Sequence, residues 1–117
     1  MSNIYLMGDD KSLCNTVSST IYAGEKNSDS VTILLPEKYE GENLRGCRMT
    51  LHFPDQKVEK NIQPCIELYR GYLVYNYKLG LEVTAKAGRY PLYVDVKRVG
   101  YTLMTGTAYL TVLGVSK

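Results

Sequence analysis

His52 is the only histidine in the 117 residues. It lies in the alternating run Cys47 to Phe53, between Leu51 and Phe53, which puts it on the polar, exposed side of a strand. A metal site needs about four ligands, and one histidine with scattered carboxylates does not supply them. A Ser-His-Asp or Cys-His device needs its members brought together in space, and no Gly-x-Ser-x-Gly elbow marks one. An enzyme would require a pocket in which His52 is hydrogen-bonded to a carboxylate. Cys14, Cys47 and Cys65 are odd in number and form no Cys-x-x-Cys pair. Cys47 alternates with Met49, Leu51 and Phe53, the pattern of a small core hydrophobe. A Cys47–Cys65 disulfide is conceivable between neighbouring strands, but a reducing compartment disfavours it.

Two acidic segments complete the chemical inventory. Gly8-Asp9-Asp10-Lys11-Ser12 lacks the Gly-x-x-x-x-Gly-Lys-Ser/Thr frame of a phosphate loop. Its two aspartates fall far short of the roughly six to eight oxygens that calcium takes. A turn is the simpler use. Glu37, Glu40 and Glu42 cluster with Lys38 around Pro36 and Gly41. Paired carboxylates can hydrolyse glycosides, but a mixed-charge loop with nothing to build a long cleft reads as a solvated loop. The residues therefore assign no catalytic group, no metal site and no cofactor, and argue against a small-molecule substrate.

Charge and hydropathy narrow the partners. Fourteen basic and twelve acidic side chains give a net charge of +2, with no Lys/Arg run longer than two. A nucleic-acid binder needs a clustered basic stripe, so no nucleic acid is expected. No apolar run approaches the roughly 20 residues that span a bilayer, and Met1 to Met7 reaches Asp9-Asp10 without a basic start. The expectation is a soluble protein made in the cytoplasm, with no signal peptide and no membrane partner. Eleven tyrosines stand beside one phenylalanine and no tryptophan. Tyrosine suits strands, and it suits surfaces that must be both wet and in contact.

Any site must be carried by strands. From Leu73 to Val83 every odd position is apolar or aromatic, and only Val74 breaks the polar half. That period of two predicts a half-buried strand or a broken pair of strands. The same alternation predicts strands over Ser30 to Leu35, Gly46 to Phe53, Tyr90 to Lys97, Tyr101 to Met104 and Thr107 to Leu113. Gln56 to Lys60 reads as a short edge strand, and Cys65 to Tyr69 as a strand with Ile66 and Leu68 in the core. Arg70-Gly71 reads as a tight hairpin turn, Ala87-Gly88-Arg89 and Val99-Gly100 as turns, and Thr105-Gly106 as a kink. Pro91 places its nitrogen at an edge or bulge. Residues 1–29 are read as an N-terminal arm with a possible short strand at Asn3 to Met7 and a first strand near Thr20 to Ala23. Turn signals every 8–12 residues without a strong helix indicate an all-β sandwich or small barrel, with 1–117 as one domain.

Two features resemble known sandwiches. Gly88-x-Tyr90-x-Leu92-x-Val94 is similar to the corner of immunoglobulin-like domains, where a tyrosine hydrogen-bonds back across a loop. Lys86 stands where antibody domains carry an acidic residue, Leu92 where they carry a cysteine, and their core tryptophan has no counterpart. The order from Leu44 to Val112 resembles the N-terminal domain of phage baseplate upper proteins from phages of Gram-positive bacteria. It runs through Gly46-x-Arg48-x-Thr50-x-His52, Leu73 to Val83 and Ala87 to Val94, and ends in Tyr101 to Val112. The resemblance implies an immunoglobulin-like antiparallel β-sandwich of about seven to nine strands. It also implies a structural docking module of a phage particle (baseplate, tail or capsid accessory), located in the virion and not an enzyme. Its partners would be other virion proteins and copies of itself in a closed assembly. A carbohydrate- or receptor-binding module is the alternative, favoured by aromatic side chains aligned at one loop end. The face bearing Tyr72, Val74, Tyr93 and Asp95 is the candidate interface.

Overall fold

The structure, a computed structural model, describes residues 2–65 and 68–115. Its strands, in chain order, are β1 (Ser2–Met7), β2 (Leu13–Val17), β3 (Ser30–Pro36), β4 (Lys38–Tyr39), β5 (Glu42–Asn43), β6 (Arg48–Phe53), β7 (Val58–Ile62), β8 (Tyr72–Lys78), β9 (Gly88–Arg98), β10 (Tyr101–Met104) and β11 (Ala108–Val112). The first sheet has the order β2-β1-β3-β8. The second has the order β10-β9-β6-β7, with β11 continuing the edge of β9 that β10 begins. Strands β4 and β5 form a small separate hairpin. Pairing is antiparallel except between β1 and β3. The fold is therefore the all-β sandwich that the sequence indicates, with one parallel pair in it.

Alternation decides what each strand buries. Tyr5 and Met7, Val31, Ile33 and Leu35, and Leu73 and Tyr75 point inward from the first sheet. Met49, Leu51 and Phe53, Leu92, Val94 and Val96, and Leu110 and Val112 meet them from the second. Cys47 is buried beside them, and all three cysteines are free thiols. Tyr5 Oη donates to the Tyr109 carbonyl at 2.8 Å, tying the first sheet to the second. Burial pushes the Tyr5 and Tyr75 phenols up to about 12, because a phenolate would be desolvated there.

The turns have local causes. Arg70 (φ 49°) and Gly71 (φ 84°) both take positive φ, as a two-residue type I′ hairpin turn requires. Tyr69 and Tyr72 exchange two backbone hydrogen bonds across it, at 3.0 and 2.9 Å. At the start of β9, Tyr90 Oη donates to the Lys86 carbonyl at 2.6 Å, which is the folded-back tyrosine of the Gly-x-Tyr pattern. A Cβ on Gly88 would stand 3.0 Å from the Tyr90 ring, so the glycine makes room for the ring. Thr105 bridges the kink between β10 and β11: its amide donates to the Val94 carbonyl, and its hydroxyl accepts the Val94 amide. Pro91 lies in the half of β9 that has a strand on one side only.

Several expectations are corrected. The strand after β1 is Leu13–Val17, not Thr20 to Ala23. Residues 21–23 instead run beside Leu113, which donates to the Ile21 carbonyl and accepts the Ala23 amide, with only a single parallel bridge at Tyr22. The run from Leu73 stays extended only to Lys78. Leu81–Thr84 forms one helical turn that closes on the Gly80 carbonyl, leaving Leu81 exposed and Val83 buried. Residues Cys65 and Leu68 lie in no strand, and Leu68 is exposed rather than in the core. Ile66 lies outside the described residues. β6 begins at Arg48 and β9 already at Gly88.

Candidate docking faces

The outward positions of the second sheet form a grid. Along β9 they are Arg89, Pro91, Tyr93, Asp95 and Lys97. Across one edge Tyr109 stands opposite Pro91, Met104 opposite Asp95 and Thr102 opposite Lys97. Across the other, His52 stands opposite Tyr93, Thr50 opposite Asp95 and Arg48 opposite Lys97. β7 adds Glu59 beside His52 and Asn61 beside Thr50.

His52 is buried, at 9% exposure, which corrects the exposed position expected from its place among polar residues. Three neighbours cover it. Its Nε2 lies 2.5 Å from Asp95 Oδ2, its Nδ1 lies 3.5 Å from Glu59 Oε1, and its ring stacks on Tyr93 at 4.5 Å between centroids and 5° between planes. Asp95 is itself only 5% exposed, and its Oδ1 has no hydrogen-bond partner among the described residues. This is the histidine–carboxylate contact that an enzyme would need; one ring nitrogen faces the buried Asp95 and the other the mostly exposed Glu59. On the same face Thr50 Oγ1 donates to Asn61 Oδ1 at 2.7 Å. The cluster clasps β7, β6 and β9 together. Among the described residues no group of three His, Cys, Asp or Glu could hold a metal ion.

The outward face of the first sheet is built differently. Leu34 on β3 stands opposite Val74 on β8, and Ile4 on β1 stands beside Thr32, one outward position along β3 from Leu34. With Val17, Leu68, Tyr69 and Cys65 they line a groove of about 510 Å³. Val17 and Leu68 are 46% and 38% exposed. The polar groups at its edge are already engaged: Thr32 Oγ1 donates to Asn76 Oδ1 at 2.7 Å, and Asn76 Nδ2 lies 3.2 Å from Cys65 Sγ.

The candidate interface residues therefore do not share a face. Tyr72 and Val74 belong to the outer face of the first sheet, Tyr93 and Asp95 to that of the second. Alternation along a strand separates inside from outside; it does not say which sheet the strand joins. The His52–Asp95 contact was equally hidden, because the two residues are 43 apart in sequence and meet only through the β6–β9 register.

The two acidic segments are structural. Asp10 Oδ1 accepts the Ser12 hydroxyl at 2.6 Å and the Ser12 amide at 3.0 Å within the β1–β2 turn, and these bonds hold its carboxyl below the usual range. Glu37 pairs with Arg45 at 2.9 Å and Glu42 with Arg98. No helix among the described residues is long and apolar enough to cross a membrane.

No family model matches the sequence, and no curated protein matches it. Among solved structures the chain is similar to the N-terminal domain of phage TP901-1 ORF48, with a TM-score of 0.56 and 13% identity. The match covers 95% of this chain and 97% of that one. At this identity the likeness is one of fold.

Proposed function

We propose that this chain is a non-enzymatic docking module of a phage particle, a baseplate, tail or capsid accessory protein that contacts other virion proteins and further copies of itself. The observation that carries the reading is the apolar strip on the outer face of the first sheet. Outward positions of an antiparallel sandwich are normally polar. Here Ile4, Leu34 and Val74 are outward and apolar, and Tyr72 continues the strip along β8. A contiguous exposed apolar patch rimmed by polar groups is the mark of a contact site. The fold shared with a domain of a phage baseplate protein supports the same reading.

Size exclusion with light scattering on the wild type and on Val74→Lys tests the proposal. A discrete closed assembly that falls to monomer in Val74→Lys supports it. A monomer at every concentration removes self-docking. Binding of a cell-wall glycan by that monomer would replace docking with the carbohydrate-binding alternative.

A further inference from the structure

The outer face of the second sheet carries cations at both ends and contact-type side chains between them. At one end the Arg89 guanidinium lies 3.8 Å from the centre of the Tyr109 ring. That stacking fixes the guanidinium through its face and leaves its N–H edge free to donate. At the other end Arg48 and Lys97 are direct cross-strand partners, both exposed. Like charges directly opposite each other destabilise a sheet, so the fold gains nothing from this pair. Among the described residues the arginine–carboxylate ion pairs are Arg45–Glu37 and Arg98–Glu42, His52 contacts Glu59 and Asp95, and none of these uses Arg48, Lys97 or Arg89. Of the two acids of the face, Asp95 is buried against His52, and Glu59 lies 3.5 Å from the His52 ring and is mostly exposed. Between the cationic ends lie Pro91, Tyr93, Tyr109 and Met104, the last two well exposed. From Arg89 to Lys97 is eight residue steps, roughly 26 Å along the strand.

We infer that this face receives an acidic segment of a partner protein, extended along β9, with carboxylates at its ends and apolar or aromatic side chains at its centre. The carboxylates meet Arg89 at one end and the Arg48–Lys97 pair at the other. The centre packs on Pro91, Tyr93, Tyr109 and Met104. Arginine and tyrosine are the residue types that dominate such contacts, and Arg89 is already held in place before the partner arrives. This site goes beyond the apolar strip and is independent of it, because it lies on the other sheet.

The test is a titration of the ¹⁵N-labelled full chain with the peptide acetyl-Glu-Glu-Leu-Tyr-Leu-Tyr-Leu-Glu-Glu-amide, whose eight residue steps match that span, against the same peptide with lysine for glutamate. The expected result is amide shifts confined to β9, β10, the start of β6 and Tyr109, for the acidic peptide only. Affinity should fall at least fivefold in the double variant Arg89→Glu and Lys97→Glu, whose positions are exposed and whose fold is checked by circular dichroism. It should also fall at 1 M salt, where screening shortens to about 3 Å. No response, an equal response to the lysine peptide, or indifference to the charge reversal overturns the inference. So does tighter binding of a single-stranded oligonucleotide than of the acidic peptide.

Discussion

The two outer faces of this sandwich follow the same period of two and reach opposite results. On the first sheet the outward positions of β1, β3 and β8 include Ile4, Leu34 and Val74, which line an open groove. On the second sheet the outward positions of β6 and β7 are polar and those of β9 are mixed, and three of them meet as Asp95, His52 and Glu59. The second sheet covers His52 and Asp95 and leaves Arg48, Arg89 and Lys97 exposed, while on the first sheet the apolar groove stays open among the described residues. An outward residue that the fold satisfies is structural, and one that it leaves unsatisfied points to a partner.

Breaking the clasp should have the largest effect. Asp95→Ala removes one partner of a buried pair and should destabilise the fold by about 3 kcal/mol, read by urea unfolding. Replacing both members, as His52→Phe with Asp95→Leu, should recover most of that loss, since a well-packed apolar pair is often as stable as a buried ion pair. Glu59→Gln should cost less than about 1 kcal/mol, because that carboxylate is mostly exposed.

The core between the faces sets the response to alkali. Tyr5 and Tyr75 are held at about 12, against 10.0 for an ordinary phenol. The native state therefore holds protons that the unfolded chain releases, and stability is whole below pH 10 and lost as pH rises towards 12. The urea midpoint should drop steeply across that window, and less so in Tyr75→Phe.

Smaller effects sharpen the contrast. Tyr90→Phe deletes the hydrogen bond to the Lys86 carbonyl and should cost about 1 kcal/mol. Val74→Lys should change stability by no more than about 0.5 kcal/mol while abolishing self-association, because a surface position away from core contacts tolerates exchange. A large loss of stability in Val74→Lys would mean that the strip is core rather than contact surface.

The sequence was most legible where one strand face is buried and the other wet. β3, β6, β8 and β9 follow from alternation, the Arg70-Gly71 turn follows from its residue types, and the Gly88–Tyr90 corner came from a resemblance to immunoglobulin-like domains. Thr20 to Ala23 misled because β-branching favours extended chain without fixing a partner, and β1 pairs with Leu13–Val17 instead. Leu81 and Val83 continued the alternation by composition, although Gly80 had already ended the strand and a helical turn followed. The clasp and the division of Tyr72 and Val74 from Tyr93 and Asp95 both depend on sheet membership and register. Those are long-range properties, and no local pattern carries them.

The most direct test of the contrast between the faces is methyl-resolved NMR over a dilution series, with Ile, Leu, Val and Met methyl groups labelled. Docking through the first sheet predicts that Ile4, Leu34 and Val74 shift with concentration while Met104, on the second sheet, stays in place. Shifts at Met104 alone, or none at any methyl group up to millimolar concentration, would contradict it.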